Sequence, residues 1–488
     1  MAETRIEKDA IGEVRVPADA YYGSFTARAL GNFRFEGKSA VREFYLAYLR
    51  MKLASAKANA KCGVLEGRKA DAIVKACEEL LSGKMADALV LDFYQAGAGT
   101  PFNMNVNEVV ANRANELLGG KKGDYKPVHP NNDVNMGQSS NDLGPTAIRM
   151  ALLSLSSDLE RDVLAVCKTL DAKAKKYEGE LKVGRTHLQD AVPIAISQEI
   201  LAWSDALKED LARLRQARSG LCEIPLGGTA LGTGITAHPE FADAAAAELS
   251  KITGEKLAAS KNRPLHISAL NSVLFYSAAN RGIAISLVKI ADDLKLLVSG
   301  PKAGIAEVVL PEVEPGSSIM PGKINPSIPE AVEMIAKDAI AADSAVVLGC
   351  AGGQLQLNFL TPLVAKNTIA PTISLAHAAR MLDRFCIKGM EYDLDACRKN
   401  IDATYIFATA LNPYLGYQAV AEIVKESLSG GKSVSEVVLL HGLMEKGEIA
   451  RVLDAKGITA PASIDSALVA KVKGSKEYAR YLAKIGKN

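Results

Sequence analysis

The stretch "EPGSSIMPGKINPSIPE", Glu314 to Glu330, sets Ser317, Ser318, Lys323 and Asn325 among glycines and prolines, just before an apolar-periodic run. Pro326 has no N–H to leave unbonded, so it suits a first helical position, and Asn325 before it is the natural N-cap. The free N–H groups and dipole of the helix that follows put positive potential at its mouth, and Lys323 adds a full charge. Such a mouth receives an anion, and a carboxylate fits it.

Three other segments read the same way. Thr100 stands before Pro101 at the start of "TPFNMNVNEVV"; Ser139, Ser140 and Asn141 in "QSSND" precede a long striped helix; Thr186 and His187 in "GRTHLQDAVP" are expected ahead of another. Together they offer many neutral donors and little charge, which suits a small dianion held at more than one end. Ordinary capping accounts for one hydroxyl per helix, worth about 1 kcal/mol. Five consecutive polar side chains in "QSSND", and a Lys beside an Asn at the fourth mouth, exceed what capping needs. His187 has polar neighbours in Gln189 and Asp190, whereas His129 in "VHPNNDVN" reads as a surface-loop residue.

The elements that must carry these groups are mostly helices. Ile148, Leu152, Leu155, Leu159, Val163, Val166 and Leu170 step by three and four, as do Ile200, Trp203, Leu207, Leu211 and Leu214, and Ile283, Leu287, Ile290, Leu294 and Leu297. Long stripes of this kind pack at shallow angles into bundles, and their length favours a bundle shared between subunits. The predicted fold is all-α, with a mixed, mostly helical segment over 1–140, a central long-helix bundle over 141–395 and a small helical segment over 396–488. "EVRVPADAYYG" reads as a brief strand that turns at Pro17 and Gly23. "LGGTALGTG" lacks the spacing and the preceding strand of a dinucleotide loop and reads as a tight turn between helices.

Across the whole chain, 58 Lys and Arg balance 56 Asp and Glu, which leaves no basic face of the size nucleic acid requires. Seven scattered cysteines without a C-x-x-C pair, and six histidines without H-x-x-x-H, give neither a disulfide framework nor a metal signature, so no metal and no cofactor are expected. The N-terminus is charged on both signs, and no run of about 18 apolar residues occurs. The expectation is a cytoplasmic protein without a membrane partner.

Taken in order, "RIEKDAIGEVRVPADAYYG", "GAGT", "NMNVNEVVANRA", "QSSND", "GRTHLQDAVP", "LGGTALGTG", "GSSIMPGKINP" and "TALNPYLGY" resemble the blocks of the fumarase/aspartase superfamily over essentially the whole chain. The resemblance implies a homotetramer around a central bundle, with each active site assembled from three subunits, and elimination from a succinate-type substrate to give fumarate. By motif position it implies Ser317 as the base, with Ser318 beside it. Lys323 and Asn325 would bind one carboxylate. Thr100, Ser139, Ser140 and Asn141 would bind the other carboxylate and the leaving group. Thr186 and His187 would line the pocket, with Glu330 as partner of His187. Flanked by prolines, the Ser317 segment reads as a closing flap with Gly316 and Gly322 as hinges.

The substrate signal is divided. "DAYYG", Ala98 in "GAGT" and "GQLQLN" resemble aspartases; "QSSND", "VHPNNDVN" and "LGGTA" resemble fumarases. "TPF" after Gly99 and "KNRPLHISAL" depart from both. Ala98 lacks a hydroxyl that a malate hydroxyl would use, so aspartate ammonia-lyase is the expectation and fumarate hydratase the alternative.

Overall fold

The structure, a computed structural model, describes residues 3–33 and 40–486; the first two residues of the N-terminal reading and the last two of the C-terminal segment lie outside it. The early helices are α1 (Ser24–Phe33), α2 (Arg42–Lys61), α3 (Gly67–Leu81) and α4 (Thr100–Leu117). Two long helices follow, α5 (Ser140–Lys176) and α6 (Ile196–Ser219), then the shorter α7 (Phe241–Thr253) and α8 (Arg263–Ser268). Three more long ones complete the set: α9 (Asn271–Leu297), α10 (Ser327–Ala351) and α11 (Thr361–Phe385). The stripes explain the long helices. Every stripe residue named above is buried except Leu155, which is half-buried. At about 1.5–3 kcal/mol for each fully buried aliphatic side chain, such a stripe fixes which face of the helix turns inward.

Among the described residues, strands form four two-stranded ribbons. β1 (Thr4–Asp9) pairs antiparallel with β2 (Gly12–Pro17), and β3 (Leu181–Thr186) with β4 (Gln189–Ala195). β5 (Glu223–Ile224) runs parallel to β6 (Ala258–Ala259), and β7 (Val308–Val309) pairs antiparallel with β8 (Glu391–Tyr392).

The chain divides into two compact units, and each of the five long helices contributes to both. The first comprises Met1–Val163, Glu209–Val288 and Ala331–Arg380. Within it Phe44, Tyr45, Phe93 and Phe102 form an edge-on aromatic cluster, with Phe102 centred 5.1 Å from Phe44 and 5.4 Å from Tyr45. The second comprises Leu164–Lys208, Lys289–Glu330 and Met381–Asn488. Its last part closes a hydrophobic cluster of its own around Leu411, Leu415, Ile423, Val437 and Tyr481. One helix among the described residues, α9, has the length and composition to cross a membrane, and half of that window is packed inside the protein, as in a core helix.

Candidate active site

In the first unit, the starts of α4 and α5 come together. Ala98 and Gly99 both take left-handed backbone angles, φ 58° and 75°, so the chain turns sharply and Thr100 and Pro101 open α4. The loop rests on the first turns of α5, where a Cβ at Gly144 would stand 3.2 Å from the Ala98 carbonyl oxygen. Ser139, Ser140 and Asn141 lie at the α5 start. The Ser139 Oγ accepts from the Asn141 N–H at 3.3 Å, and the Asn141 amide donates to the Ala230 carbonyl at 2.9 Å.

Beneath them is a buried polar cluster that sequence reading missed. Lys52, on α2 and fully buried, donates to the side-chain carbonyls of Asn103 (2.7 Å), Gln138 (2.9 Å) and Asn135 (3.0 Å). Asn103 in turn donates to the Ser140 Oγ at 3.3 Å. Burial pulls the Lys52 pKa down to about 7, and the Asp142 charge opposes that. Three carbonyl acceptors consume all three N–H groups of an ammonium and leave no place for an amine lone pair, so Lys52 is charged. Asp142 is also fully buried, which pushes its pKa up to about 7, while backbone N–H groups of Ser139, Gly227 and Thr229, each at 2.9 Å, favour its carboxylate. Those last two donors come from the glycine-rich loop. It is a tight turn, as expected, where a Cβ at Gly232 would stand 2.3 Å from the Pro264 nitrogen, but a strand does precede it: the two-residue β5 ends at Ile224, against the sequence expectation. The loop clamps the α5 start and so fixes where Ser139 to Asn141 point.

In the second unit, Ser317, Lys323 and Asn325 share one exposed loop around a hollow of about 390 Å³ lined by residues from Glu312 to Ile324. The Ser317 Oγ accepts from the N–H groups of Met320 at 3.0 Å and Ile319 at 3.3 Å. Two donors on one oxygen favour its anionic form. Lys323 donates to the Asn325 Oδ1, and Asn325 donates to the Gly316 carbonyl, both at 2.7 Å. Two expectations are corrected here. Asn325 is not an N-cap: its amide is committed within the loop, and α10 starts at Ser327, with the Pro326 carbonyl taking the first helical bond from the Glu330 N–H at 3.1 Å. Nor is Gly316 a free hinge. The chain crosses itself there, its N–H held by the Lys323 carbonyl at 2.9 Å, and a Cβ would stand 2.4 Å from that oxygen. Ser318 and Glu330 are exposed.

Thr186 and His187 are also placed differently from the sequence reading. They stand at the exposed tip of the β3–β4 hairpin, not at a helix mouth. His187 and Leu188 both have positive φ, 55° and 58°, the geometry of a two-residue hairpin turn. Asn-Gly is the usual pair there; a His-Leu pair costs roughly 1–2 kcal/mol per residue. A buried ion cluster holds the hairpin base. Glu307, fully buried, accepts from Arg185 in a two-pronged pair at 2.8 and 2.9 Å and from Asn400 at 3.0 Å, and its carboxylate lies 3.2 Å from Lys182. Burial pushes the Glu307 pKa up, but the Arg185 bonds, the Lys182 charge and Asn400 outweigh it, so the carboxyl is held below its ordinary value.

The candidate residues thus form three sets: Thr100 with Ser139–Asn141 in the first unit, and in the second the Ser317–Lys323–Asn325 loop and the Thr186–His187 tip. The chemistry on offer is neutral and cationic hydrogen-bond donation to carboxylates, a serine oxygen held by backbone donors, and an exposed imidazole.

A family model described as lyase matches residues 12–340, and one described as fumarase C C-terminus matches residues 407–460. The chain is 43% identical over 464 residues to aspartate ammonia-lyase of Pseudomonas aeruginosa, covering 94% of this chain and 98% of that one. It is 42% identical over 456 residues to class II fumarate hydratase of Halobacterium salinarum, covering 93% and 97%. It is also similar to the solved structure of fumarate lyase:delta crystallin from Brucella melitensis bound to cobalt, with TM-score 0.90 and 41% identity over 94% of this chain and 100% of that one.

Proposed function

The chain belongs to the fumarase/aspartase superfamily of lyases, and on that premise we propose that it eliminates ammonia from L-aspartate to give fumarate. The proton removed sits beside a carboxylate and is barely acidic. Its loss leaves a dianionic enediolate, so the main catalytic task is to stabilise charge on carboxylate oxygens. Ser317 is the base, its oxygen held by the Met320 and Ile319 N–H groups. Lys323 and Asn325 take one carboxylate, with Ser318 beside them. Thr100, Ser139, Ser140 and Asn141 take the other carboxylate and the leaving group. Thr186 and His187 line the pocket, with Glu330 paired to His187. Losing one preorganised donor of this kind costs about 2.7–4 kcal/mol in the barrier.

This reading needs several copies of the chain: a homotetramer whose sites each draw on three subunits, with 1–140, 141–395 and 396–488 as its three segments. Exposed apolar side chains support it. Ile285 on α9 is 52% exposed, Met334 and Leu348 on α10 are 66% and 70% exposed, and Ile319 on the Ser317 loop is 84% exposed. Apolar surface on core-building helices and on a flap is what a second copy covers. The protein is proposed to work in the cytoplasm, without cofactor.

One observation favours aspartate over malate: buried Ala98 brings no hydroxyl to the α5 mouth. Relatives named aspartate ammonia-lyase and fumarate hydratase match at nearly equal identity, which favours neither. Fumarate release, followed by ultraviolet absorbance, is the test. We expect turnover with L-aspartate and little with L-malate. The reverse result makes the protein a fumarate hydratase, and silence with both removes this elimination chemistry.

A further inference from the structure

We propose that Cys62, His238 and Glu240 form a binding site for a divalent transition metal of the Zn2+ or Co2+ class, one that ties the end of α2 to the start of α7. Their ligand atoms all lie within 4.8 Å of one another. A four-coordinate ion with bonds of about 2.0–2.3 Å holds its donors about 3.5 Å apart, so side-chain rotation of about an ångström completes the set. Thiolate, imidazole and carboxylate together select Zn2+ and its analogues over Mg2+ or Ca2+, which take oxygen ligands. Three protein donors leave the fourth position to water.

The backbone prepares each donor. Cys62 ends α2, and its N–H is bonded to the Ala58 carbonyl at 2.9 Å, so its role in ending the helix is met by the backbone. On the other side, the His238 carbonyl accepts from the Phe241 N–H at 2.9 Å, and its Nδ1 accepts from the Glu240 N–H at 3.3 Å. This turn, stiffened by Pro239, sets the imidazole and carboxylate side by side ahead of α7. Cys62 and His238 are half-buried and Glu240 is exposed, so an ion has access. Partial burial and then the Glu240 charge push the Cys62 thiol up, which fits a carboxylate facing the sulfur. A bound cation inverts that balance and makes the thiolate the stable form. None of the three belongs to the residues assigned to elimination.

The test uses the full-length chain, stripped with chelator and titrated with Co2+. We expect one ion per chain with a thiolate-to-cobalt charge-transfer band and the visible bands of a four-coordinate ion. Cys62→Ser should abolish the charge-transfer band. His238→Ala and Glu240→Gln should each weaken Co2+ by more than the roughly 10–100-fold that changes outside the ligand shell cost. Circular dichroism and thermal melting in chelator, matching the parent, certify that the variants are folded. Cobalt that binds without a thiolate band overturns the proposal, as does affinity that survives these substitutions in folded protein.

Discussion

Lys52 shows how a buried side chain can set the position of a candidate substrate-binding group. It reaches no candidate substrate group directly, yet it orients Asn103, which donates to Ser140, and it neutralises a region that also buries Asp142. Lys52→Met keeps the stem, strands the carbonyls of Asn103 and Gln138 while Asn135 keeps the Asn103 and Asn107 amides, and takes the nearby cation from Asp142. Removing one partner of a buried charge system costs roughly 3–5 kcal/mol. We expect a denaturation midpoint lowered to match, and a raised KM for substrate, because Ser140 loses its orientation; an unchanged midpoint would show that the ammonium is dispensable. Nothing in the sequence marked this residue. In "RMKLASAKANAK" it is one lysine among several with no motif around it, and its partners Asn103, Asn135 and Gln138 come from other segments. Ser317, Lys323 and the "QSSND" run stand out in the sequence as candidates because each concentrates its polar groups locally.

At the scale of elements, periodicity foretold the long helices and missed the hairpin. Apolar stripes repeat every three or four residues over many turns and leave little choice, whereas "GRTHLQDAVP" lacks the Gly or Asn that announces a two-residue turn. The strained His187–Leu188 tip persists because the ion cluster anchors β3, and β4 is paired to β3. Glu307→Gln removes the cluster's buried negative charge while keeping the shape, leaving Arg185 without its two-pronged buried carboxylate and Lys182 with Glu199 alone, at 2.8 Å. Activity is expected to fall by an order of magnitude or more, since displacements of about 1 Å at a catalytic group cost up to about 100-fold. The acid side follows by sign. Glu307 is held below its ordinary pKa, so its contribution is complete above the unfolded carboxylate value and is lost as pH falls through the lower folded one. Protection factors for hydrogen exchange at β3 and β4, taken relative to the intrinsic rate at each pH, should therefore fall on acidification in the parent; in Glu307→Gln they should already be low at neutral pH. Equal protection in both proteins would deny Glu307 this role.

For the whole molecule, the question is where the three sets of residues meet. The first unit carries Thr100 and Ser139–Asn141, and the second carries the Ser317 loop and the His187 tip. If each site is assembled from several subunits, Ser317→Ala and Ser140→Ala should each inactivate the homo-oligomer without changing its mass. Mixing the two, with reversible dissociation to allow exchange, should then restore activity. A site that takes Ser317 from one subunit and Ser140 from another is intact in about a quarter of cases in an equal, fully exchanged mixture, by the statistics of random assembly in a closed oligomer. Recovery toward roughly that fraction of parental activity is the expected result, with sedimentation confirming four chains. If both residues served one site from one subunit, every hybrid site would retain a lesion and no recovery would follow, however complete the exchange.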